Sequence, residues 1–279
     1  MKKIARISFI SSVILWPLFF PYLGLSQGDP WKKVDEGLFW AEFESPGRVS
    51  PQESKIVIVK IDPRFYSFKL LCATEQGKTR LTVKDWCLKY DLISAINAGM
   101  YQKDGLTNVG YMKTFDHVNN PRLNNTYKSV LAFNRTTPGV PEIQIIDLKY
   151  RAFDELKSRY QTFVQNIRMI SSQQENVWTK QDRVWSLAVL GMDKSGNGLF
   201  IFSEVPYSGH DFNNVLLSLP ISIFNAMYLE GGAQASLYLS ENNLELDRVG
   251  IYETGLNESR VRTTARAVPN VIGITKKAR

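Results

Sequence analysis

The chain has 279 residues, of which 44% are hydrophobic and 22% are charged. This composition is ordinary for a globular protein and excludes the disordered and fibrous classes. The formal net charge is +7, but three of the 34 basic residues and none of the 27 acidic ones lie in the first 27 positions, so the remainder carries only +4. That mild and scattered excess argues against a nucleic-acid partner.

The N-terminal segment, residues 1–27, differs from the rest of the chain. A basic start with Lys2, Lys3 and Arg6 precedes an almost wholly apolar run over 7–25. This pattern is typical of an export signal, and an uncleaved membrane anchor is the alternative, which two prolines in the run disfavour. We therefore predict an exported chain, periplasmic or extracellular, that contacts a membrane only through this segment if the segment stays uncleaved.

The N-terminal half reads mostly as strands. We interpret residues 28–55 as a tether and first strand, and residues 56–279 as one domain. β-branched and aromatic residues between turn residues predict strands at 38–43, 56–61 and 65–74. Thr82 and Asp85 resemble a capping box, and apolar residues at helical spacing predict a short helix over 83–90.

The chain has two cysteines, Cys72 and Cys87. An oxidising compartment would permit a disulfide between them, and two buried thiols are the equal alternative because both residues fall on apolar patterns. With the two histidines, His117 and His210, they match no zinc spacing. No metal and no other cofactor is therefore predicted.

The middle of the chain contains a long polar stretch. A strand over 92–96 runs into Asn97, and a loop follows over 102–125. A loop of this length inside a compact domain is more often functional than idle. An apolar stripe then recurs at helical spacing and predicts a core-packed helix that presents Phe153, Leu156, Tyr160 and Phe163.

The C-terminal half returns to strands. Alternation predicts one over 164–170, and the turn residues 193–198 predict a hairpin. Ser208 or Asp211 starts a helix, and the polar residues 253–264 predict a loop. Other strands are predicted at 184–190, 199–203, 244–251 and 268–274. Strands in runs with few helices between them predict an α+β fold, a single domain with a mixed, largely antiparallel sheet and a few helices packed on it.

Glu230 is the most unusual polar residue of this half. It ends the apolar run 226–229 and is followed by Gly231 and Gly232. A buried, hydrogen-bonded turn carboxylate is the simpler interpretation from these residues, and a catalytic or ligand-binding acid is the alternative. Other candidates at strand ends are Asn97, Gly99, Gln165, Arg168, His210 and Arg266.

Several short motifs together resemble the phosphodiester glycosidase family over roughly residues 57–275. In chain order they are Asn97-Ala98-Gly99-Met100-Tyr101, Gly110-Tyr111, the segment 165–170, Arg183, Leu229-Glu230-Gly231-Gly232 and Ser236-Leu237-Tyr238. The chain differs where many members have Asp in place of Glu230 and Gly-Pro in place of Ile167-Arg168.

The resemblance implies a hydrolase that cleaves a sugar phosphodiester at the anomeric carbon, with a carbohydrate or sugar phosphate as substrate. It implies Glu230 as the base for water or the nucleophile, and His210 as a proton donor or phosphate ligand. Arginine suits the phosphate, with Arg168 first, then Arg183 and Arg266. The implied substrate-binding residues are Asn97, Gly99, Gln165, Arg183, Gly231, Gly232 and Arg266.

Two other functions stay open at this point. One is an envelope protein that binds a glycan without cleaving it, and the other is a scaffold in which the same residues are structural. The enzyme hypothesis predicts that the side chains of Asn97, Arg168 and Glu230 surround one open pocket, and the scaffold hypothesis predicts no such cleft. No oligomeric state is predicted.

Overall fold

The computed structural model describes residues 29–46, 55–250 and 264–278. The predicted export segment 1–27 and almost all of the predicted loop 253–264 lie outside the described residues. Within the described ranges, no helix is both long enough and apolar enough to cross a membrane.

The described part of the chain forms strands and short helices. In chain order they are β1 (Lys32–Asp35), β2 (Leu38–Glu44), β3 (Lys55–Ile61), β4 (Tyr66–Cys72), α1 (Val83–Tyr90), β5 (Ser94–Asn97), β6 (Met112–Thr114), β7 (His117–Asn120), β8 (Ser129–Arg135), β9 (Ile143–Asp147), α2 (Phe153–Lys157), β10 (Tyr160–Asn166), β11 (Arg168–Ile170), β12 (Trp185–Asp193), β13 (Gly198–Tyr207), α3 (Gly209–Ser218), β14 (Ile223–Gly231), β15 (Ser236–Glu241), β16 (Leu244–Val249) and β17 (Asn270–Lys276). A single 3-10 turn, Gly232–Gln234, follows β14.

The strands make three antiparallel sheets. The large sheet has the order β1-β2-β3-β13-β12-β14-β11, and the two smaller sheets have the orders β7-β6-β10-β8-β9 and β16-β15-β5-β17-β4. The predicted α+β class with a largely antiparallel sheet and few helices is confirmed. Within the segment 28–55, predicted as a tether and first strand, Lys32 and Lys33 already begin β1 and pair with β2 in the large sheet.

The main core lies between the large sheet and the two smaller ones. Leu190 of β12, Phe133 of β8 and Ile272 of β17 are buried in one cluster there. The opposite face of the large sheet is covered by α3 through Phe212. Helix α1 covers the outer face of the third sheet through Trp86, and α2 covers that of the second. The layers are therefore helix, large sheet, two smaller sheets and helices.

Local signals set the helix starts and the main hairpin. Thr82 Oγ1 accepts the Asp85 backbone N–H at 3.1 Å, as the capping box predicts. Ser208 Oγ accepts the Asp211 backbone N–H at 3.1 Å at the start of α3. The predicted hairpin is confirmed, because β12 and β13 pair across the turn after Asp193.

The long helix predicted from the apolar stripe is wrong. Helix α2 ends at Lys157, and Tyr160 and Phe163 belong to β10. The Arg159 backbone N–H closes the last turn on Leu156 O at 2.9 Å, and from Tyr160 onward the backbone pairs with β8. Ladder hydrogen bonds outweigh the weak helix propensity of the aromatic residues, although all four stripe residues still pack in one cluster.

Two other predicted elements need correction. The loop over 102–125 contains the hairpin of β6 and β7. The single strand predicted over 164–170 is divided between β10 and β11, which belong to different sheets.

Cys72 and Cys87 are free and buried in different clusters, and burial raises the pKa of both thiols. Of the two alternatives, the structure therefore shows two buried thiols and not a disulfide.

Candidate active site

Three distant segments meet near the end of β14. The Tyr228 backbone N–H donates to Ile167 O at 2.9 Å, which joins β14 to the β10–β11 junction. Asn97 joins the end of β5 to the turn after β14, because its Nδ2 donates to Gln234 O at 2.8 Å and its Oδ1 accepts the Ser236 N–H at 2.7 Å. The segments that carry the predicted site residues are therefore neighbours, and Asn97 braces the turn that follows Glu230.

Glu230 takes its direction from a β-bulge. Tyr228 is opposite Val189 of β12 and Glu230 is opposite Ala188, so two steps along β14 match one step along β12. Residues that pair across neighbouring strands point to the same face of the sheet. The extra residue of a bulge shifts this alternation, so the next side chain points to the other face. Ala188 belongs to the main core, whereas Val189 and Tyr228 pack on the α3 side. Glu230 consequently turns to the face opposite α3.

Glu230 lies in one electrostatic neighbourhood with a phenol and two guanidinium groups. Burial raises the pKa of Tyr101 and the Glu230 carboxylate raises it further, while the charges of Arg80 and Arg266 oppose that rise. Such couplings extend over only about 10 Å at physiological salt. Tyr101 is also hydrogen-bonded to the Gln234 side chain, on the turn that Asn97 holds. We call Glu230, Tyr101, Arg80 and Arg266 the Glu230 cluster.

Backbone pairing joins the two segments that carry the arginines of this cluster. The Val268 N–H donates to Leu81 O at 2.8 Å, which places the residues before β17 beside those before α1. Arg80 and Arg266 are both exposed, and among the described residues neither forms an ion pair. The cluster therefore combines a buried acid with two solvent-facing cations.

Gly99 is required by close packing. Its φ is +147°, and a Cβ there would overlap Asn166 Nδ2 and stand 2.9 Å from Asn108 Oδ1. Both of these amide atoms are buried without a hydrogen-bond partner in the described structure. Such atoms are rare in folded proteins, so Asn166 and Asn108 present unused hydrogen-bonding capacity beside the Asn97 segment.

The Gln165 side chain is fully used by the polar loop. Its Oε1 accepts the backbone N–H groups of Tyr111 and Asn124, and its Nε2 donates to the carbonyls of Asn124 and Tyr127. An amide has this many donor and acceptor positions in total. Gln165 thus orders the loop that was predicted to be functional, and in this structure it has no donor left for a substrate.

Arg168 is held by a buried ion pair. Its Nη1 lies 2.6 Å from Asp147 Oδ1, and the two side chains are 13% and 2% exposed. Asp147 also accepts the backbone N–H groups of Lys149 and Ser172. Arg168 lines a hollow of about 290 Å³ whose wall includes neither Asn97 nor Glu230. The structure brings the three backbone segments together without gathering these three side chains around that hollow.

His210 lies apart from the Glu230 cluster. His210 is in the first turn of α3, with its Nδ1 3.1 Å from Asp211 Oδ1, and α3 covers the face of the large sheet from which Glu230 turns away. Hydrogen bonding to His210 lowers the pKa of Asp211. Arg183 is exposed in the segment before β12. A catalytic role for His210 and a phosphate role for Arg183 stay predictions.

The two glycines after Glu230 have different structural reasons. A Cβ on Gly231 would overlap Trp185 and the Tyr228 hydroxyl, so no side chain fits there. Gly232 has a φ of +63° at the start of the 3-10 turn, a conformation that glycine adopts without strain. Both glycines let the chain leave β14 tightly enough for Asn97 to reach the turn.

Sequence reasoning missed Tyr101, Arg80 and Asn166. Tyr101 stands at the end of the motif that includes Asn97 and Gly99, and the two-residue alternation of an extended segment puts all three on one side. That signal was available in the sequence. Nothing local marks Arg80, because only the pairing of Leu81 with Val268 joins its segment to the one that carries Arg266.

The Glu230 cluster places an acid, a phenol and two guanidinium groups at the ends of antiparallel sheets. This combination is typical of a sheet-based hydrolase site and suits an anionic sugar substrate. The phosphodiester glycosidase family model matches residues 90–275, about two thirds of the chain. The chain therefore belongs to the phosphodiester glycosidase family, and it is a hydrolase of that type. No curated protein sequence matches the chain.

Two solved structures share the fold. A hypothetical protein from Synechocystis has a TM-score of 0.63 and 15% identity over 90% of this chain, which spans 64% of that protein's length. The catalytic domain of zebrafish N-acetylglucosamine-1-phosphodiester alpha-N-acetylglucosaminidase, auto-inhibited by its pro-peptide, has a TM-score of 0.53 and 14% identity, covering 90% of this chain and 85% of that domain. At these identities the likeness shows the fold alone.

The side chains that bind divalent metals are dispersed in the described structure. No group of three or more His, Cys, Asp and Glu residues that could hold a metal occurs in the ranges 29–46, 55–250 and 264–278.

Proposed function

We propose that this protein is an exported hydrolase that removes a phosphodiester-linked sugar from an envelope or extracellular glycan. The observation that carries the proposal is the β-bulge that turns the buried Glu230 to the face opposite α3, where its charge raises the pKa of Tyr101. Membership of the phosphodiester glycosidase family supports the reaction class. The basic and apolar N-terminal sequence supports export.

The proposed reaction breaks the bond between the anomeric carbon and the phosphate oxygen. Water supplies a hydroxyl group to the sugar and a proton to the released phosphate monoester. A phosphate monoester is already a good leaving group, so the demand falls on a carboxylate that faces the oxocarbenium-like carbon, as base for water or as nucleophile. Glu230 supplies that carboxylate.

The arginines of the Glu230 cluster suit the phosphate. Guanidinium groups match phosphate oxygens with paired N–H donors, and Arg80 and Arg266 are exposed and unpaired among the described residues. Arg168, the first choice from sequence, has one guanidinium edge bound to Asp147. We therefore assign the scissile phosphate to Arg266 and Arg80, and the position of the sugar to the side of Asn97 and Gly99.

The test is hydrolysis of a panel of methyl diesters of sugar 1-phosphates in water enriched in oxygen-18. Cleavage at the anomeric carbon places the label in the free sugar, whereas cleavage at phosphorus places it in the phosphate. We expect the label in the sugar. Label in the phosphate would show a phosphodiesterase and would contradict the proposal.

The matched variants are Glu230→Gln and Glu155→Gln. Both remove one carboxylate, but Glu155 is exposed on α2, at the outer face of the second sheet. We expect Glu230→Gln to lower kcat by about a hundredfold or more, and Glu155→Gln to leave it unchanged. Unchanged turnover in Glu230→Gln would remove this acid from the mechanism. Binding of glycans without any turnover of the panel would support the non-catalytic alternative.

A further inference from the structure

The hollow beside Arg168 lies at the edge of the large sheet. It has a volume of about 290 Å³, near the lower end for ligand pockets. Its wall consists of Thr126, Lys128, Ile167, Arg168, Val177, Trp178, Thr179 and Gln181, which we call the Arg168 hollow. Two of these residues are cationic and none is acidic. Asp147 neutralises Arg168, so among the described residues Lys128 supplies the uncompensated positive charge that favours a negatively charged occupant.

Two hydrogen-bond donors of this wall are unused. Arg168 Nε and Gln181 Nε2 are buried and have no partner in the described structure. Asp147 takes the Nη1 edge of the same guanidinium, so the ion pair fixes the arginine without satisfying Nε. A buried donor without a partner is unfavourable, and an oxyanion in the hollow would supply the missing acceptor.

One wall of the hollow is rigid before any ligand arrives. The Trp178 indole N–H donates to Arg168 O at 2.7 Å, and the ring packs so closely on Gly209 that a Cβ there would overlap it. Asn176 Oδ1 accepts the Trp178 backbone N–H at 3.1 Å, and its Nδ2 donates to His210 O at 2.9 Å. Helix α3 therefore holds the aromatic face in place, which suits the packing of a sugar ring.

The hollow is close to Glu230 along β14. Arg168 pairs with Met227, three residues before Glu230, a distance of roughly 10 Å at the usual rise of a strand. The rings of Trp178, Tyr228 and Trp185 follow β14 on its α3 side, since Trp178 lies 5.8 Å from Tyr228 and Tyr228 lies 6.5 Å from Trp185. Glu230 turns to the opposite face, so an extended ligand that reaches both places passes the end of β14.

We propose that the Arg168 hollow is an oxyanion-binding subsite for a phosphate or carboxylate on a neighbouring unit of the glycan. The proposal rests on the proposed function where it links the hollow to catalysis at Glu230. It makes the preferred substrate a polyanionic glycan with a second acidic group about one or two units from the scissile bond. Lys128, Arg168 Nε and Gln181 Nε2 bind the oxyanion, and Trp178 packs against the sugar that carries it.

Binding is measured on the Glu230→Gln protein, so that turnover cannot interfere. Inorganic phosphate and glucuronate are titrated separately, with glucose as the uncharged control, and the Trp178 indole resonance, assigned with Trp178→Phe, reports on the hollow. We expect one or both anions to shift this resonance, and the tighter one identifies the acid. Lys128→Gln should weaken that Kd about three- to tenfold, whereas Lys180→Gln, which changes an exposed lysine outside the wall, should leave it within about twofold.

Turnover then separates the subsite from the proposed function. With the wild-type active site, Lys128→Gln should raise the KM of a diester that carries a second acidic group and leave that of a simple methyl diester unchanged. Absence of any anion-dependent shift at Trp178, or equal effects of Lys128→Gln and Lys180→Gln, overturns the subsite even if the enzyme is active. Anion binding without hydrolysis of any diester supports the subsite and overturns the proposed function.

Discussion

The Glu230 cluster and the Arg168 hollow both lie beside β14, but they use arginine in different ways. In the hollow, Arg168 is 13% exposed and bonded to Asp147, which is 2% exposed. In the cluster, Arg80 and Arg266 are exposed and form no ion pair among the described residues. The first guanidinium is fixed by its ion pair and has only its Nε side unused, whereas the other two are solvent-exposed.

The difference follows from what surrounds each charge. A buried cation needs a fixed anion, so Arg168 and Asp147 stabilise one another in the absence of substrate. An exposed cation is solvated by water and can exchange that water for phosphate oxygens. The contrast predicts that substitutions at Arg168 lower stability first, whereas substitutions at Arg80 and Arg266 lower activity without unfolding the chain.

Arg168→Ala carries the largest expected effect. It leaves the Asp147 carboxylate buried without its cation, which costs about 3–5 kcal/mol in comparable pairs. The free energy of unfolding in urea measures the loss, and Arg266→Ala is the control, expected to change it by less than about 0.5 kcal/mol. Equal losses in both variants would mean that the two regions do not differ in the way described.

Asn97→Ala should have the next largest effect. It removes the partners of Gln234 O and the Ser236 N–H, and each unpaired buried group costs about 1–3 kcal/mol. We expect a loss of about 2 kcal/mol in unfolding free energy together with a loss of activity, because the turn after Glu230 loosens.

Asn214→Ala is the matched control for this prediction, because Asn214 is an exposed amide on α3. Its unfolding free energy should stay within about 0.5 kcal/mol of wild type. If Asn97→Ala kept full stability and only raised KM, Asn97 would be a sugar ligand, as predicted from sequence, and its brace on the turn would be unimportant.

The parts of the fold that were predictable depend on local chemistry. Thr82 and Asp85 form their capping box from residues three apart, and the hairpin after Asp193 needs only its turn residues. The helix predicted through Tyr160 is wrong, although the stripe residues are three and four positions apart, as in a helix. The β8 strand that pairs with Tyr160 lies far away in sequence, so the local pattern could not reveal it. Periodicity reports which residues are buried more reliably than which element buries them.

The sequence predicted which residue types form the candidate site, but not which groups they contact. Glu230 was identified as an unusual acid. The direction of its side chain depends on a β-bulge that no residue of β14 predicts. Gln165 was identified as a polar residue at a strand end, and its hydrogen bonds go to the backbone of a loop more than 35 residues away. A sequence shows that such groups need partners and does not show which partners they find.

Arg266→Gln tests the ligand-binding half of the comparison. Loss of one guanidinium contact to a phosphate should raise KM about tenfold, equivalent to about 1.4 kcal/mol, and reduce the dependence of KM on salt. Arg80→Gln should behave alike, and Arg64→Gln, which alters an exposed arginine paired with Asp62, should not. Unchanged KM in both cluster variants would move the phosphate away from the Glu230 cluster and back toward Arg168.

Asp35→Asn is expected to have the smallest effect on unfolding free energy. Asp35 forms an ion pair with Lys276 that joins β1 to β17 at the protein surface, away from both regions. Hydrogen bonding to Lys276 lowers the pKa of Asp35 in the folded protein. A lowered carboxyl pKa stabilises the folded state above the unfolded-state pKa of about 4, and that stabilisation is lost as the pH falls through the folded-state pKa. Wild type should therefore exceed Asp35→Asn by only a few tenths of a kcal/mol in unfolding free energy at pH 7, and by nothing in strong acid. A loss at pH 7 as large as that of Arg168→Ala would show that exposure does not separate structural from available charges in this protein.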